Sequence, residues 1–245
     1  MNSSFQPSAA ALAELAPLGK LRAGMNTGNA LLTTRDATGA LCGVSVDILQ
    51  ELALRLNVPL EFVVFDEPGQ VAGSVNANEW DVAMLAIEAT RAQTIDFSPG
   101  LTQLEAGYVV HQGAAFQKPE QIDAPGIKIA AKDKAGYELY LTRTLQHAQL
   151  VREPGLPACI QLFNDGEVDA LAGLRTTLQE SLVQMPQGRL LPGSFMTIQH
   201  GLSMAKGRPA AAAYLAAFVA DLRASGFVAR SVAKHGIVGL TALGA

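Results

Sequence analysis

The sequence predicts an α/β fold of two lobes, each a mostly parallel sheet flanked by helices. Short β-branched or apolar runs alternate with amphipathic helical segments along most of the chain, an order typical of βαβ units. A loop marked by glycine and proline, residues 112–126, separates two such series. Hydrophobic residues make up 49% of the chain and charged residues 16%, which indicates a well-buried globular protein.

The first series starts at the strand "KLRAGM" and ends at the strand "GYVVH". Its predicted elements are strand 20–25, helix 43–57, strand 59–65, a weaker helix over 69–78, strand 81–87 and strand 107–111. Helix 43–57 carries its apolar residues on one face. Asp47 lies in its first turn, where a negative charge favours the helix dipole.

The second series repeats this order, and the chain then returns through a strand and two helices. The predicted elements are strand 127–131, helix 135–147, strand 148–152, helix 156–164, strand 168–173, helix 175–184, strand 201–205, a long helix from Pro209 and a last helix near 226–234. Proline suits the first turn of the long helix, and Gly226 ends it. Its predicted inward residues are Tyr214, Leu215, Phe218, Val219 and Leu222.

Charge and hydrophobicity exclude several classes of protein. The net charge is −4 and no clustered Lys/Arg run is present, so nucleic acid is not expected as a partner. No apolar run is long enough to predict a membrane span. Residues 1–20 lack a positive start and a continuous apolar stretch, so we expect a cytoplasmic protein; a periplasmic location follows if a leader has been removed. Cys42 and Cys159 are expected to be two independent buried thiols.

Signatures of catalysis and of cofactor binding are mostly missing. The histidines are far apart in sequence, so we predict no metal site. No phosphate loop or dinucleotide fingerprint is present, so we predict no cofactor. The stretch "GLSMA" is one residue from a nucleophile elbow, but its serine would lie inside a strand and not on a strand-to-helix turn. We therefore predict no catalytic residue.

Polar residues follow the carboxyl ends of the predicted strands in both series. Arg91 follows the third strand of the first series, in "DVAMLAIEATR", and Arg175 follows the third strand of the second. The other strand-end residues are Asn26, Thr27, Gly28, Asn29, Lys132, Asp133, Lys134, Gly136 and Tyr137. Ligands of open α/β sheets bind at these ends, and helix N-termini there favour an anion. The matching positions in both series predict an anion-binding cleft between two lobes.

Several longer stretches together point to one family. They are "LRAGMNTGN", "GALCGVSVDILQELALRLNVPLEFV", "EWDVAMLAIEATRAQTIDFSPG", "GIKIAAKDKAGYELYLTRTL", "DGEVDALAG" and "GLSMAKGRPAAAAYLAAFVADLRASGFVARSVAKHG". With them the chain, from about Leu21 to His235, resembles the amino-acid-type (family 3) bacterial solute-binding proteins of ABC importers. Proteins of this family have the type II periplasmic-binding-protein fold.

The resemblance implies an architecture and a binding site. It implies a lobe 1 of residues 1–108 and 198–245, a lobe 2 of residues 109–197, and two crossover strands near Val109 and Ile198. It also implies that Arg91 grips a ligand carboxylate, a role that suits the planar guanidinium fork. The remaining predicted ligand-binding residues are Glu88, Asn26, Asn29, Ala86, Lys134, Gly136, Tyr137, Arg175 and Gln199. Implied partners are a small carboxylate ligand and an ABC permease, and the implied state is a monomer.

The sequence departs from the family pattern at three positions. The loop in "LAIEATR" is about two residues shorter than the usual Ser/Thr-containing version, so it loses the expected hydroxyl donor, and Glu88 lies nearby instead. An aromatic platform after the second strand is not obvious, since Phe65 comes early. The acidic residue that usually pairs with an α-amino group is replaced by Leu174, which cannot pair with an ammonium ion.

Three functions therefore stay open, with a binding protein that closes by hinge motion as the leading one. In the binding-protein hypothesis, Arg175 and the N-terminus of helix 135–147 bind a second anionic or polar group of the ligand. Glu88 could pair with an amino group of the ligand. The second is an enzyme similar to cyclohexadienyl or arogenate dehydratases, with Glu88, Glu67 or Asp133 as the acid. The third is a cytoplasmic ligand-sensing module.

Overall fold

The computed structural model describes residues 6–244. Within them, residues 6–103 and 199–244 form one compact unit, unit 1, and residues 104–198 form a second, unit 2.

The elements follow the alternating order that the sequence predicts. The chain begins with α1 (Ala9–Leu15), β1 (Leu21–Asn26), β2 (Thr34–Arg35), β3 (Leu41–Cys42), α2 (Val44–Leu56), β4 (Leu60–Phe65), α3 (Pro68–Gly73), β5 (Val82–Ala86), β6 (Ile95–Phe97) and β7 (Thr102–His111). It continues with β8 (Lys128–Lys132), α4 (Gly136–Thr144), β9 (Gln149–Glu153), α5 (Leu156–Asn164), β10 (Ala170–Leu174), α6 (Arg175–Ser181) and β11 (Gly188–Leu190). It ends with β12 (Met196–Ala205), α7 (Pro209–Ala224), α8 (Phe227–Lys234) and β13 (Thr241–Ala242).

The sheet of unit 1 has the strand order β4-β1-β5-β12. β1 is parallel to β4 and β5, with Ala23 opposite both Phe62 and Val82, and β12 runs antiparallel to β5. All five residues of β5 are buried, as expected for a central strand covered on both faces. Parallel strands place their carboxyl ends at one edge, so the residues after β1 and β5 lie at the same end of this sheet.

The sheet of unit 2 has the order β7-β10-β8-β9. β8 is parallel to β9 and β10, whereas β10 pairs antiparallel with β7. Its core packs α5 and α6 on the sheet through Val109, Ala130, Cys159, Ile160, Phe163, Val168, Leu171, Leu178 and Met185. These sheets confirm the predicted α/β class.

The long C-terminal helix forms as predicted. Pro209 occupies its first turn, and Gly226 follows its end with φ +68°, a backbone conformation that glycine adopts without a Cβ penalty. The predicted inward residues are buried: Tyr214, Leu215, Phe218, Val219 and Leu222. Cys42 and Cys159 are free thiols in different units; Cys159 is buried as expected, whereas Cys42 is only partly buried.

The N-terminal helix α1 was not predicted. Ser8 caps it by accepting from the Ala11 N–H, and Ala11 and Leu15 are buried. Glu14 accepts a hydrogen bond from the Ala211 N–H in the first turn of α7, at 2.7 Å. The segment is too short for a clear helical period, and its stability comes from packing on α7, which sequence reasoning did not include.

Other differences concern short elements and helix ends. The sequence did not predict β2, β3, β6, β11 and β13. The predicted helix 69–78 is α3 followed by a 3₁₀ turn, Val75–Ala77, and α4 ends at Thr144 instead of 147. In the described part of the chain no single helix is long and apolar enough to cross a membrane, although α7 and α8, bent by 66°, meet the length and composition test as a pair.

Candidate functional site

The loop after β1 is shaped by its asparagines. The Asn26 side chain accepts from the Gly28 N–H at 2.9 Å, and the Asn29 side chain accepts from the Leu31 N–H at 3.2 Å. A Cβ at Gly28 would lie 2.4 Å from the Asp66 carbonyl oxygen, so only glycine fits this approach to the loop after β4. Both asparagines, predicted to bind ligand, thus also hold the loop.

Arg91 lies at the carboxyl end of β5 and is 5% exposed. Its Nη1 donates to the Ala86 carbonyl oxygen at 3.3 Å, which holds the guanidinium at the last residue of the strand. Burial lowers the pKa of Arg91 to about 10, so the group is still a cation at neutral pH. A cation in such a dry setting gains from an anion that comes within hydrogen-bonding distance.

Glu88 is also buried, and its carboxylate organises the turn that carries Arg91. Its Oε2 accepts from the backbone N–H groups of Thr90, at 2.7 Å, and Arg91, at 3.2 Å. These donors open the 3₁₀ turn Arg91–Gln93, whose first N–H groups need an acceptor. This arrangement supports a capping role for Glu88; contact with a ligand amino group stays a prediction.

Ala86 and Gln199 belong to neighbouring antiparallel strands. The Gln199 carbonyl accepts from the Ile87 N–H at 2.8 Å, and the Gln199 side chain is exposed. The next residue, His200, is directly opposite Ala86. His200 is 5% exposed, and burial together with the positive charge of Arg91 lowers its pKa to about 3. His200 was not among the predicted site residues, because only the pairing of β12 with β5 brings it to the strand end that carries Arg91.

A small cavity lies near the ends of β1 and β5. Its volume is about 10 Å³, enough for about one water molecule. Its lining is Gly24, Met25, Asn26, Leu32, Thr33, Ser45 and Met84. A metabolite is far larger than this space. A separate open groove of about 450 Å³ lies between α2 and α8, where Asp47, Leu54, Phe227 and Arg230 are among its lining residues.

In unit 2 the predicted residues surround the start of α4. Lys134 has φ +56°, and its N–H donates to the Glu138 carboxylate at 3.0 Å. Gly136 and Tyr137 form the first turn of α4, and both are buried. Glu138, which is 2% exposed, also accepts from Thr142 and Arg152. The loop geometry of "KDKAGYE" therefore depends on the buried Glu138, which was not among the predicted site residues.

Arg175 begins α6, and its guanidinium contacts the protein on several sides. Nη1 donates to the Leu191 carbonyl at 2.8 Å and to the Gly193 carbonyl, and Nε lies 3.5 Å from a Glu105 carboxylate oxygen. The side chain crosses Gly107, where a Cβ would lie 2.9 Å from the Arg175 Cγ. These contacts support a structural role; a second anion contact at Arg175 stays a prediction.

The predicted ligand-binding residues thus fall into two groups, one in each unit. Asn26, Asn29, Ala86, Glu88, Arg91 and Gln199 lie in unit 1, and Lys134, Gly136, Tyr137 and Arg175 lie in unit 2. Among residues 6–244, no group of three or more His, Cys, Asp or Glu side chains could hold a metal ion.

Comparison with known proteins gives one family. Residues 21–237 match the model of the bacterial extracellular solute-binding proteins, family 3. No curated protein matches the chain.

Solved structures with the same fold have low sequence identity to this chain. A solute receptor for L-cysteine of Neisseria gonorrhoeae is 18% identical, with a TM-score of 0.76 over 95% of this chain and 96% of that one. A lysine-bound putative binding component of an ABC transporter from Wolinella succinogenes is 19% identical, with a TM-score of 0.74 over 90% and 97%. An ancestral amino-acid-binding protein, a precursor of cyclohexadienyl dehydratase, is 19% identical, with a TM-score of 0.73 over 91% and 98%. These proteins share the type II periplasmic-binding-protein fold predicted from the sequence.

Proposed function

Because this chain belongs to the bacterial extracellular solute-binding proteins of family 3, we propose that it binds a small carboxylated metabolite, an amino acid or a related organic acid, without converting it. Unit 1 and unit 2 are the two lobes, and they close around the metabolite by hinge motion. The protein delivers its ligand to the permease of an ABC-type uptake system.

The observation that carries this proposal is the buried, charged side chain of Arg91 at the carboxyl end of β5. Its guanidinium is buried, is held at the carboxyl end of β5 by the Ala86 carbonyl, and stays charged although burial lowers its pKa. Ligands of open α/β sheets bind at such strand ends. A carboxylate pairs with both arms of a guanidinium, and this pairing strengthens where water is excluded. Arg91 is therefore the proposed carboxylate anchor.

The proposed site fits the ammonium group of an α-amino acid less well than it fits the carboxylate. Leu174 ends β10 with an apolar side chain, and the Oε2 atom of Glu88 already accepts two backbone N–H groups. An ammonium ion needs an acceptor close to the anchor. The site thus accommodates keto acids and other organic acids as well as amino acids. Amino-acid ligands are supported by the solved neighbours for L-cysteine and lysine.

An enzymatic role has weaker support. The ancestral neighbour is a precursor of a dehydratase but is itself an amino-acid-binding protein. A dehydratase needs an acid that can protonate a leaving hydroxyl. Of the candidate acids, Glu88 caps a turn, Glu67 takes part in a capping box at the start of α3, and Asp133 lies 3.9 Å from the Lys134 ammonium. Incubation with prephenate and arogenate, followed by product analysis, tests this alternative; turnover would exclude a purely binding role.

Location is open to a direct test. The matching family is described as extracellular, so the proposed transport role places the protein outside the cytoplasm, whereas a ligand-sensing module would work inside it. Cell fractionation with detection of the native protein distinguishes the two. Recovery from the periplasm agrees with the transport role, and recovery from the cytoplasm agrees with a ligand-sensing module.

The function is tested first by identifying the ligand. Small molecules that remain bound through gentle purification are released by denaturation and identified by mass spectrometry, and their binding is measured by calorimetric titration. Small-angle scattering with and without the identified compound should show a smaller radius of gyration in its presence. Failure of every carboxylated compound to bind, or an unchanged radius with a confirmed ligand, contradicts the proposal of hinge closure around a carboxylate.

A further inference from the structure

A buried histidine of β12 lies beside the carboxyl end of β5. The proposed contact between Arg91 and a ligand carboxylate gives this histidine no role. His200 on β12 is 5% exposed, and its Nδ1 atom is buried without a hydrogen-bond partner among residues 6–244. Buried polar atoms are almost always hydrogen-bonded, and an exception calls for an explanation. One explanation is a partner that arrives with a ligand.

The sheet register places this ring at the proposed anchor. His200 is directly opposite Ala86 in the antiparallel pairing of β12 with β5, so the two side chains lie on the same face of the sheet. Arg91 donates to the carbonyl of the same Ala86. A histidine and an arginine from different elements therefore lie next to one strand end.

The charge of Arg91 acts on His200, in agreement with the placement of both groups at Ala86. Burial and the charge of Arg91 lower the pKa of His200 to about 3, so the ring is neutral at pH 7. A neutral imidazole has one N–H donor and one acceptor nitrogen. It therefore offers a directed hydrogen bond next to Arg91 without adding a second positive charge.

We propose that His200 is a second contact of the carboxylate that Arg91 binds, with the Nδ1–H of its neutral ring as the donor. This inference rests on the proposed function. A carboxylate has roughly four lone-pair positions, of which a guanidinium fork takes two, so an oxygen remains for a further donor. A primary amide would turn its own N–H donors toward Arg91 or His200. The pair thereby selects acids over the corresponding amides.

A packing residue would behave differently from a donor, and the substitutions separate the two roles. His200→Leu fills similar space without a donor. His200→Asn places its amide nitrogen on Cγ, at the same bond separation from the backbone as Nδ1. His200→Gln places the nitrogen one bond further, near the position of Nε2. All three variants are first tested for an unchanged unfolding curve in the absence of ligand.

Binding is measured by calorimetry with probes chosen by a thermal-shift screen of the twenty standard L-amino acids, pyruvate and succinate. The tightest-binding acid and its primary amide are then titrated into each variant. We expect His200→Leu and His200→Gln to lose about ten-fold or more in affinity for the acid, and to lose much of the preference for acid over amide. His200→Asn should retain most of both. Wild-type affinity should be level between pH 8 and pH 5, because the ring acts in its neutral form.

Each other outcome contradicts a specific claim. If Arg91→Ala abolishes binding while His200→Leu keeps wild-type affinity and the same acid-to-amide ratio, the role of His200 is wrong and the proposed function stands. If His200→Asn is as weak as His200→Leu, the Nδ1 donor is wrong. If no probe binds, or if Arg91→Ala binds as well as wild type, the proposed function and this inference fail together.

Discussion

Two buried arginines lie at opposite ends of the same parallel strands in unit 1. Arg22 is near the start of β1 and pairs with Asp81, the residue before β5; Arg91 follows the other end of β5. Their exposed fractions are nearly equal, 8% and 5%. Burial alone therefore does not distinguish an arginine that holds the fold from one that serves a site.

Their pKa shifts have opposite signs. Asp81 binds Arg22 through both carboxylate oxygens, at 3.0 Å to Nε and 2.7 Å to Nη2, and this hydrogen bonding raises the pKa of Arg22. Burial lowers the pKa of Arg91 to about 10. A raised pKa marks a charge that the fold has stabilised. A lowered pKa marks an arginine whose charged form has been destabilised by burial. Such shifts are common at binding sites.

The largest expected effect is on the structural pair. Asp81→Ala should lower the free energy of unfolding by about 3–5 kcal/mol, because the Arg22 guanidinium is left buried without its carboxylate. Denaturant unfolding measures this. The matched control is Glu61→Ala, which removes the exposed Lys20–Glu61 pair of the same sheet and should change stability by less than about 1 kcal/mol. Equal effects of the two substitutions would break the comparison.

The second effect is on Arg91, and it should appear in binding. Arg91→Ala should weaken carboxylate binding by about 2–5 kcal/mol, because a desolvated charge pair is lost. Without ligand its free energy of unfolding should change by less than that of Asp81→Ala. Calorimetric titration and denaturant unfolding of the same variant provide both numbers. A variant that unfolds readily but binds normally would assign Arg91 to the fold.

The sequence was sufficient for the α/β class, the βαβ order and the position of Arg91, because apolar runs and strand ends are local patterns. It did not reveal the capping role of Glu88, because a hydrogen bond from the backbone of Thr90 leaves no trace in residue type. His200 was missed for a related reason: its closeness to Arg91 depends on the pairing of β12 with β5. α1 needed a partner, α7, nearly two hundred residues away.

Arg175, which is partly exposed, can be compared with Arg22 and Arg91. Arg175 donates to the carbonyls of Leu191 and Gly193, so Arg175→Ala should lower the free energy of unfolding by about 1–2 kcal/mol. Arg175→Lys should recover only part of this, since an ammonium does not reproduce the fork. If Arg175 also binds a second anionic group, a dicarboxylate such as succinate should lose affinity in both variants. Stability change without loss of affinity leaves only the structural role.

The smallest expected effect is on stability and concerns an acidic residue, Asp47. Burial would raise the pKa of Asp47, but hydrogen bonds from Ser231, Lys234 and His235 outweigh it and hold the pKa below its usual value. Such a group stabilises the fold above its unfolded pKa of about 3.9, and this stabilisation is lost as the pH falls through the folded pKa. Asp47→Asn should lower the free energy of unfolding by about 1 kcal/mol at pH 7. A difference from wild type that stays constant down to pH 3 would contradict this assignment.

The crossing of Arg175 over Gly107 has an evolutionary consequence. A Cβ at position 107 would lie 2.9 Å from the Arg175 Cγ, so Gly107→Ala should be less harmful once the arginine is lost. The two sites are therefore expected to be epistatic: loss of the arginine makes a side chain at position 107 easier to accommodate. Homologues with a larger residue at the position of Gly107 should consequently lack the arginine more often than homologues that keep the glycine.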